Sequence, residues 1–187
     1  MMARVAPPGL RSSFSDVSTG FVVTIPSKKN IFLMLFLGAW LVGWCAGFFG
    51  AGSQLFGGQM KDAGGTAFLA AWLVAWTVGG GFAIFIWFWM AFGKEVITLK
   101  SDVLCIKKDI KGFGKEHEYD LSHLKNLRVM SGEFNPFDFN SAMRFWGYGG
   151  GLIAFDYGAK TFRFGTSIDE AEADMIISKL KERGNFK

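Results

Sequence analysis

The chain has 187 residues, of which 50% are hydrophobic and 17% aromatic, and its formal net charge is +4. The positive excess lies in residues 1–29, whereas residues 94–187 carry nearly balanced charges. This distribution is typical of a membrane topology signal and does not indicate nucleic-acid binding. Cys45 and Cys105 lie in segments of different character, so the sequence predicts neither a disulfide nor a cysteine metal framework.

Residues 1–29 form an N-terminal arm that is predicted to be mostly disordered, because it combines a Pro pair with Ser, Gly and little hydrophobicity. Residues 21–26, FVVTIP, are the exception. Their β-branched side chains favour a short strand that adds to the edge of a sheet and is ended by Pro26. An extended lead-in to the next segment is an equally good interpretation.

Residues 30–93 contain two long apolar stretches, 30–60 and 63–93, that lack Asp, Glu, Lys, Arg and His. A helix needs about 20 apolar residues to cross a bilayer core, so each stretch predicts one membrane span, over about 31–52 and 66–92. Basic residues flank the outer ends of this helical hairpin, and the positive-inside rule then places both termini in the cytoplasm. The absence of ionisable residues from both spans disfavours a transport pathway.

Small residues recur at every fourth position in both predicted spans, and residues four apart share a helix face. Small side chains let two helix backbones approach closely, as in GxxxG pairs. An antiparallel turn near Lys61 brings the two small faces to matching depths, which predicts that the helices pack through them. Contact between two copies of the chain is the alternative. The predicted packing residues are Ala39, Gly43, Gly47, Ala51, Ala71, Ala75, Gly79 and Ala83.

Residues 94–187 are predicted to form one cytoplasmic domain that is built mainly from short strands. EVITLK and VLCIKKD flank a turn at 101–102 and predict a hairpin that pairs Leu99 with Leu104 and Ile97 with Ile106. Further strands are predicted around EHEYDL and LKNLRVM. The sheet therefore has at least four strands before the second hairpin begins.

The second hairpin consists of GLIAFDY and KTFRFGT, which turn at Gly158 and pair Phe155 with Phe162. The diagonal across its two strands predicts an ion pair between Asp156 and Arg163. The aromatic pair predicts that one face of this hairpin is buried.

An amphipathic helix is predicted to end the chain. Ser167, with Glu170 three residues later, reads as a capping box, and Gly184 can end the helix. One apolar stripe predicts that the helix packs on the sheet. Antiparallel strands followed by one C-terminal α-helix are the order of a pleckstrin-homology-like (PH-like) barrel. The stripe consists of Ala173, Ile176, Ile177 and Leu180.

Four segments also resemble a family: SKKN before the first span, EYDLSHLKNLRV, IAFDYGAKTFRFG and DEAEADMII. They are similar to small bacterial membrane proteins that combine a two-helix hairpin with a bacterial PH-like domain. The resemblance covers residues 27–184, and IAFDYGAKTFRFG is its most specific part. It implies a PH-like barrel and a place in the bacterial inner membrane, but no assigned reaction or ligand. The connection at 100–102 is too short and too neutral for the phosphoinositide site of eukaryotic PH domains.

A long aromatic loop over residues 131–151 is a candidate contact surface. Loops of this length in a compact domain are usually functional or mobile, and aromatic residues are enriched at protein interfaces and at headgroup depth in membranes. A hydrophobic cluster folded under the loop is the alternative. The candidate partner or membrane contacts are Phe134, Phe137, Phe139, Phe145, Trp146 and Tyr148.

Basic residues near the ends of the predicted spans and around the second turn of the domain are candidate lipid-facing groups. Anionic lipid attracts each such base by about 1 kcal/mol near the membrane surface. Neighbouring acids, including Asp109, offset part of this attraction, and an ordinary solvated turn is the alternative. The candidates are Lys28, Lys29, Lys94, Lys107, Lys108 and Lys111.

The sequence contains no recognisable catalytic or metal-binding constellation. His117 points away from the face shared by Glu116, Glu118 and Asp120 on a strand, so these groups do not converge. We therefore expect a non-enzymatic, membrane-anchored PH-like interaction module without a cofactor, serving as a scaffold, assembly or accessory factor. The expected partners are the lipid bilayer and another membrane protein. An oligomeric small transporter or channel subunit and a lipid-surface binding domain are the alternatives, and a homo-oligomer stays open.

Overall fold

The computed structural model of the protein describes residues 9–18, 20–58, 62–130, 143 and 146–186. The chain divides into two compact units. One consists of Met1–Lys28 with Phe92–Lys187 and is called the β domain below, and the other, Lys29–Ala91, is the helix pair. The β domain is thus assembled from both sides of the helix pair in the sequence.

The helix pair consists of α1, Ile31–Phe56, and α2, Ala63–Phe92. Asn30 caps α1, because its side chain accepts a hydrogen bond from the backbone N–H of Leu33 at 3.1 Å. Both helices are long and apolar enough to cross a membrane. Only 6% of the most apolar window of α1 and 22% of that of α2 are buried, whereas the core helix of a soluble protein is mostly buried. The prediction of two apolar helices is confirmed.

The first sheet of the β domain has five antiparallel strands. They are β1, Ser13–Val17; β2, Gly20–Pro26; β3, Gly93–Leu99; β4, Val103–Ile110; and β5, Glu116–Asp120. The strands lie side by side in the order β1-β2-β3-β4-β5. The register of the β3–β4 hairpin pairs Leu99 with Leu104 and Ile97 with Ile106, as predicted.

The strand proposed over residues 21–26 of the N-terminal arm is present as β2 and adds to the sheet, whereas residues 13–17, for which the sequence predicts disorder, also form a strand. The alternation of side chains along β2 places Phe21, Val23 and Ile25 in the core. Burial of this apolar surface offsets the conformational entropy that is lost when the arm becomes ordered. β2 pairs with β3, and β1 then forms the outer edge. The prediction missed β1, whose polar sequence carries only Phe14 as an apolar anchor, stacked on Phe21 with ring centroids 6.0 Å apart.

The second sheet has three antiparallel strands: β6, Leu124–Val129; β7, Ile153–Tyr157; and β8, Lys160–Phe164. Phe155 pairs with Phe162 and Ile153 with Phe164, which matches the predicted register. Both sheets and the C-terminal helix α3, Glu170–Arg183, contribute side chains to one hydrophobic core. Tyr119 of β5 contacts Phe155 of β7 at a centroid distance of 4.9 Å and thereby connects the two sheets.

The expected closed PH-like barrel is not present among the described strands, which form two separate sheets. A closed barrel would need the edge strands of the two sheets to pair, but in the described part of the chain β1 and β5 of the first sheet and β6 and β8 of the second pair only within their own sheets. A 3-10 turn at Leu121–His123 separates β5 from β6, so the two strands belong to different sheets. The structure therefore supports a helix pair with a two-sheet β domain and one C-terminal helix.

The start of α3 corrects the predicted capping box. Asp169, rather than Ser167, caps the helix by accepting a hydrogen bond from the backbone N–H of Glu172 at 2.8 Å. Ser167 is buried, and its hydroxyl accepts from the backbone N–H of Lys28 at 3.1 Å. The predicted apolar stripe of α3 is buried as expected.

Candidate functional site

The chain leaves and re-enters the β domain at neighbouring points. The backbone N–H of Ser27 donates to the carbonyl of Gly93 at 2.9 Å, one residue beyond the last pair of β2 and β3, Pro26 with Lys94. At the same end of the sheet, Gly93 pairs with Ile110, the last residue of β4. We call this end, where the chain passes to and from the helix pair, the junction end of the β domain.

Five of the six candidate lipid-facing lysines lie at or near the junction end. Lys28 follows β2, Lys94 lies in β3, Lys111 lies in the turn after β4, and Lys107 and Lys108 both lie in β4. Lys29 belongs to the helix pair. The β-sheet register brings these residues together from three distant parts of the sequence.

Asp109 forms ion pairs with two of these lysines. Its carboxylate lies 2.8 Å from the ammonium of Lys107 and 3.7 Å from that of Lys94, and it accepts from the backbone N–H of Gly112 at 3.2 Å. The hydrogen bond from Lys107 lowers the pKa of Asp109, which therefore stays ionised. The single negative charge of Asp109 therefore offsets one of the two ammonium charges, while both lysines pair with it within the domain.

Lys108 does not fit the prediction of a lipid-facing base. The register sets it opposite Glu95, and its ammonium donates to the carbonyl of Tyr148 at 2.7 Å while lying 4.1 Å from the centroid of the Tyr148 ring. Burial lowers the pKa of Lys108. The prediction grouped Lys107 and Lys108 because they are neighbours in the sequence. Side chains alternate along a strand, however, so Lys108 points to the opposite face of the sheet from Lys107.

Glu95 completes this inner polar cluster and is only 2% exposed. One carboxylate oxygen accepts from the backbone N–H of Gly165 at 2.6 Å, and the other accepts from the hydroxyl of Thr166 at 2.9 Å. Buried carboxylates need such donors, because their charge is costly to remove from water. Glu95 therefore fixes the segment after β8 to the start of β3.

The predicted aromatic contact surface is described only in part. Phe134, Phe137, Phe139 and Phe145 lie outside the described residues. Trp146 is half-buried, and Tyr148 is held by Lys108. Burial raises the pKa of Tyr148, so this ring is a neutral part of the domain. The described end of the loop is thus anchored to the β domain.

Tryptophans, rather than paired small residues, mediate the packing of α1 on α2. A Cβ added to Gly80 would lie 2.0 Å from the Trp44 ring, and one added to Gly47 would lie 3.3 Å from the Trp76 ring. The indole N–H of Trp87 donates to the carbonyl of Met34 at 3.0 Å. Each glycine of this interface makes room for an indole of the other helix.

The predicted small-residue faces are only partly at this interface. Ala83 is buried and Gly47 and Ala51 are half-buried, whereas the other five predicted packing residues are exposed. No atom lies within 4 Å of a Cβ added to Gly43 or Gly79. Gly80, rather than its neighbour Gly79, meets an indole of α1, and large indoles make more packing contacts than small residues do. The exposed residues are Ala39, Gly43, Ala71, Ala75 and Gly79.

A cleft of about 440 Å³ opens between the two helices. Its wall is almost entirely apolar, and the indole N–H of Trp76 is buried without an acceptor among the described residues. The cleft lies near the middle of both helices. It is lined by Trp40, Trp44, Trp72, Ala75, Trp76, Gly79 and Gly80.

A sulfur and two carboxylates meet on the outer face of the first sheet, a cluster that the sequence did not suggest. The register pairs Cys105 with Glu118, and ligand atoms of these residues and Glu116 lie within 4.8 Å of one another. Lys100 lies 3.4 Å from Glu118, and burial raises the pKa of the Cys105 thiol. A protonated thiol beside an ammonium is a poor cation ligand, so we read this cluster as structural.

The predicted ion pair of Asp156 with Arg163 is replaced by another one. Asp156 accepts from Arg128 at 3.0 Å and 3.2 Å and from Thr161 at 2.7 Å, whereas the Nε of Arg163 donates to the carbonyl of Gly151. A bulge in β6 at Asn126, which has a φ of 54°, brings Arg128 to Asp156. This network borders an open cleft of about 610 Å³.

Comparison with known proteins gives no relative from which a role could be transferred. No protein-family model, no curated protein and no solved structure matches the chain. The functional conclusion therefore depends on the residues and geometry described above.

Proposed function

We propose that the protein is a non-enzymatic interaction module that the helix pair anchors in a bacterial inner membrane, with both termini and the β domain in the cytoplasm. It would serve there as a scaffold, assembly or accessory factor for another membrane protein. The observation that carries the proposal is the hydrogen bond from Ser27 to Gly93. It joins the segment before α1 to the segment after α2, so both ends of the apolar helix pair connect to one folded domain. Such a domain cannot move away from the membrane when the helices are inserted.

The distribution of charge supports this arrangement. Basic residues collect at the junction end of the β domain, whereas α1 and α2 contain no charged residue. The positive-inside rule favours cytoplasmic placement of such flanks. Spans without ionisable residues are typical of anchors, because transport pathways usually carry such groups.

Photo-crosslinking in cells tests the interaction. A benzophenone amino acid replaces Trp146 at the described end of the aromatic loop, and the matched control replaces Phe14, which lies in β1. We expect an adduct with another membrane protein from position 146 and none from position 14. Equal adducts from both positions, or none from either, would contradict the interaction module.

A homo-oligomer of helix pairs is a second candidate, as expected for a small transporter or channel subunit. Five of the eight predicted packing residues are exposed on the helices, and small faces favour close helix contact in membranes. Two copies with different tags, purified together in mild detergent, would distinguish this arrangement. Recovery of both tags in one complex supports it, and recovery of each tag alone excludes it.

A further inference from the structure

We propose that the turn after β4, residues 110–115, inserts the Phe113 ring into the membrane interface and binds anionic lipid headgroups through Lys111 and Lys115. We call these residues the IKGFGK turn. The inference rests on the proposed function, because it requires the helix pair to be in the bilayer. It goes further by naming the part of the β domain that contacts lipid.

Exposure is the first observation that points to Phe113. Its side chain is 83% exposed, more than any other large hydrophobic side chain in the described part of the β domain. A single exposed aromatic residue is common on a soluble surface. Here it lies between two lysines, the combination that favours the boundary between headgroups and acyl chains.

The exposure of Phe113 is built into the backbone. The N–H of Ile110 donates to the carbonyl of Phe113 at 2.8 Å, and the N–H of Phe113 donates back at 3.0 Å. Lys111 and Gly112 have φ values of 50° and 94°, as in a type I′ turn. Lys107 donates to the carbonyl of Gly112 at 2.8 Å. A tight, braced turn thus holds the ring away from the core.

The position of the turn is the second observation. Gly93 follows Phe92, the last residue of α2, and pairs with Ile110, the first residue of the turn. The ammonium of Lys111 lies 3.9 Å from the centroid of the Phe92 ring. The turn therefore belongs to the junction end of the domain, and it adjoins the residue where an apolar helix ends.

Charge selects anionic lipid as the occupant. Lys94 and Lys107 both pair with Asp109, whereas neither Lys111 nor Lys115 has an acidic partner among the described residues. Two uncompensated ammonium groups on either side of an exposed ring match a negatively charged, partly apolar surface. The turn at the other end of β3 and β4, around Ser101 and Asp102, lacks both features and is a natural control.

Spin-label accessibility in the full-length protein tests the inference. In a variant carrying Cys45→Ala and Cys105→Ala, a nitroxide is attached after Phe113→Cys, Ser101→Cys or Val78→Cys, and each protein is reconstituted into nanodiscs containing phosphatidylglycerol. Val78 is an exposed residue of α2. We expect the labels at 113 and 78 to be more accessible to oxygen than to an aqueous nickel chelate, and the label at 101 to show the reverse.

The outcomes separate the two proposals. A label at 113 as aqueous as that at 101, with the label at 78 in lipid, would overturn insertion of the turn and leave the anchor intact. An aqueous label at 78 would overturn the anchor itself. Should Phe113→Cys fail to fold, Lys115→Cys reports on the same turn. In nanodiscs of phosphatidylcholine alone, which lack anionic lipid, we expect the label at 113 to lie less deep in the bilayer. An unchanged depth would exclude a role for Lys111 and Lys115.

Discussion

Glu95 shows how one buried residue connects distant parts of the β domain. Its carboxylate receives hydrogen bonds from the Gly165 amide and from the amide and hydroxyl of Thr166. We expect Glu95→Ala to lower the free energy of unfolding by about 3 kcal/mol, because it leaves buried donors without an acceptor. Thermal unfolding in detergent, followed by circular dichroism, measures the effect.

Glu118→Ala is the matched control for Glu95→Ala. Glu118 is exposed and its carboxylate pairs with Lys100 at 3.4 Å. Exposed ion pairs contribute roughly 0 to 1 kcal/mol. Equal losses in the two variants would contradict the structural role of Glu95.

Asp156 predicts how stability depends on pH. Hydrogen bonds from Arg128, Asn126 and Thr161 lower its pKa from 3.8 to about 2. A carboxyl group whose pKa is lower in the folded than in the unfolded chain stabilises the folded state at every pH above its unfolded-state pKa. This stabilisation is lost as the pH falls through its folded-state pKa. We therefore expect unfolding midpoints measured between about pH 5 and about pH 2 to fall less in Asp156→Asn than in the wild type. Parallel curves for the two proteins would refute this assignment.

The helix pair depends on the fit of indole rings against glycines. Gly80→Val would place a side chain where the Trp44 ring lies, whereas Gly79→Val meets open space on the adjacent helix position. We expect Gly80→Val to destabilise the pair by about 1 to 3 kcal/mol, as other overpacked cores do, and Gly79→Val to be nearly neutral. The measurement is the thermal unfolding of both variants in the same detergent. If Gly79→Val were the more damaging variant, the predicted small-residue interface would be correct instead.

The N-terminal arm is held to the β domain by polar contacts as well as by its apolar strand. Arg11 donates to the carbonyl of Ser167 at 2.9 Å and to that of Ser27 at 3.1 Å. The buried N–H of Ser12 donates to the carboxylate of Glu172. The contacts of Arg11 and Ser12 join the start of α3 to the residues that precede the helix pair.

Arg11→Ala should loosen the arm without unfolding the domain, because β2 keeps its pairing with β3. We expect amide hydrogen exchange in β1 to become about tenfold faster, as the loss of one or two charge-assisted hydrogen bonds implies. Lys100→Ala, which removes an exposed pair with Glu118 of β5, is the control. Unchanged exchange in Arg11→Ala would contradict a role for Arg11 in holding β1.

At the scale of the whole molecule, two spans and one domain predict that the arm and α3 share one side of the membrane. Impermeant thiol reagents test this in intact spheroplasts of a cysteine-free variant, using Ser13→Cys, Ser53→Cys and Ser178→Cys. Ser53 lies near the end of α1 that faces the turn between the helices. We expect labelling of position 53 only. Labelling of positions 13 or 178 without lysis would contradict cytoplasmic termini.

The sequence by itself determined the local elements: two apolar helices, six C-terminal strands, the hairpin registers and the apolar stripe of α3. These follow from periodicity and turn residues, which act over a few neighbouring positions. Only the tertiary structure decided how the elements combine. β2 pairs with the edge of β3, and the Trp44 ring packs against Gly80. The bulge at Asn126 brings Arg128 within hydrogen-bonding distance of Asp156. The physical reason is that each of these contacts joins residues far apart in the sequence. Which of them meet depends on which side chain fills the space beside a residue or pairs with its charge.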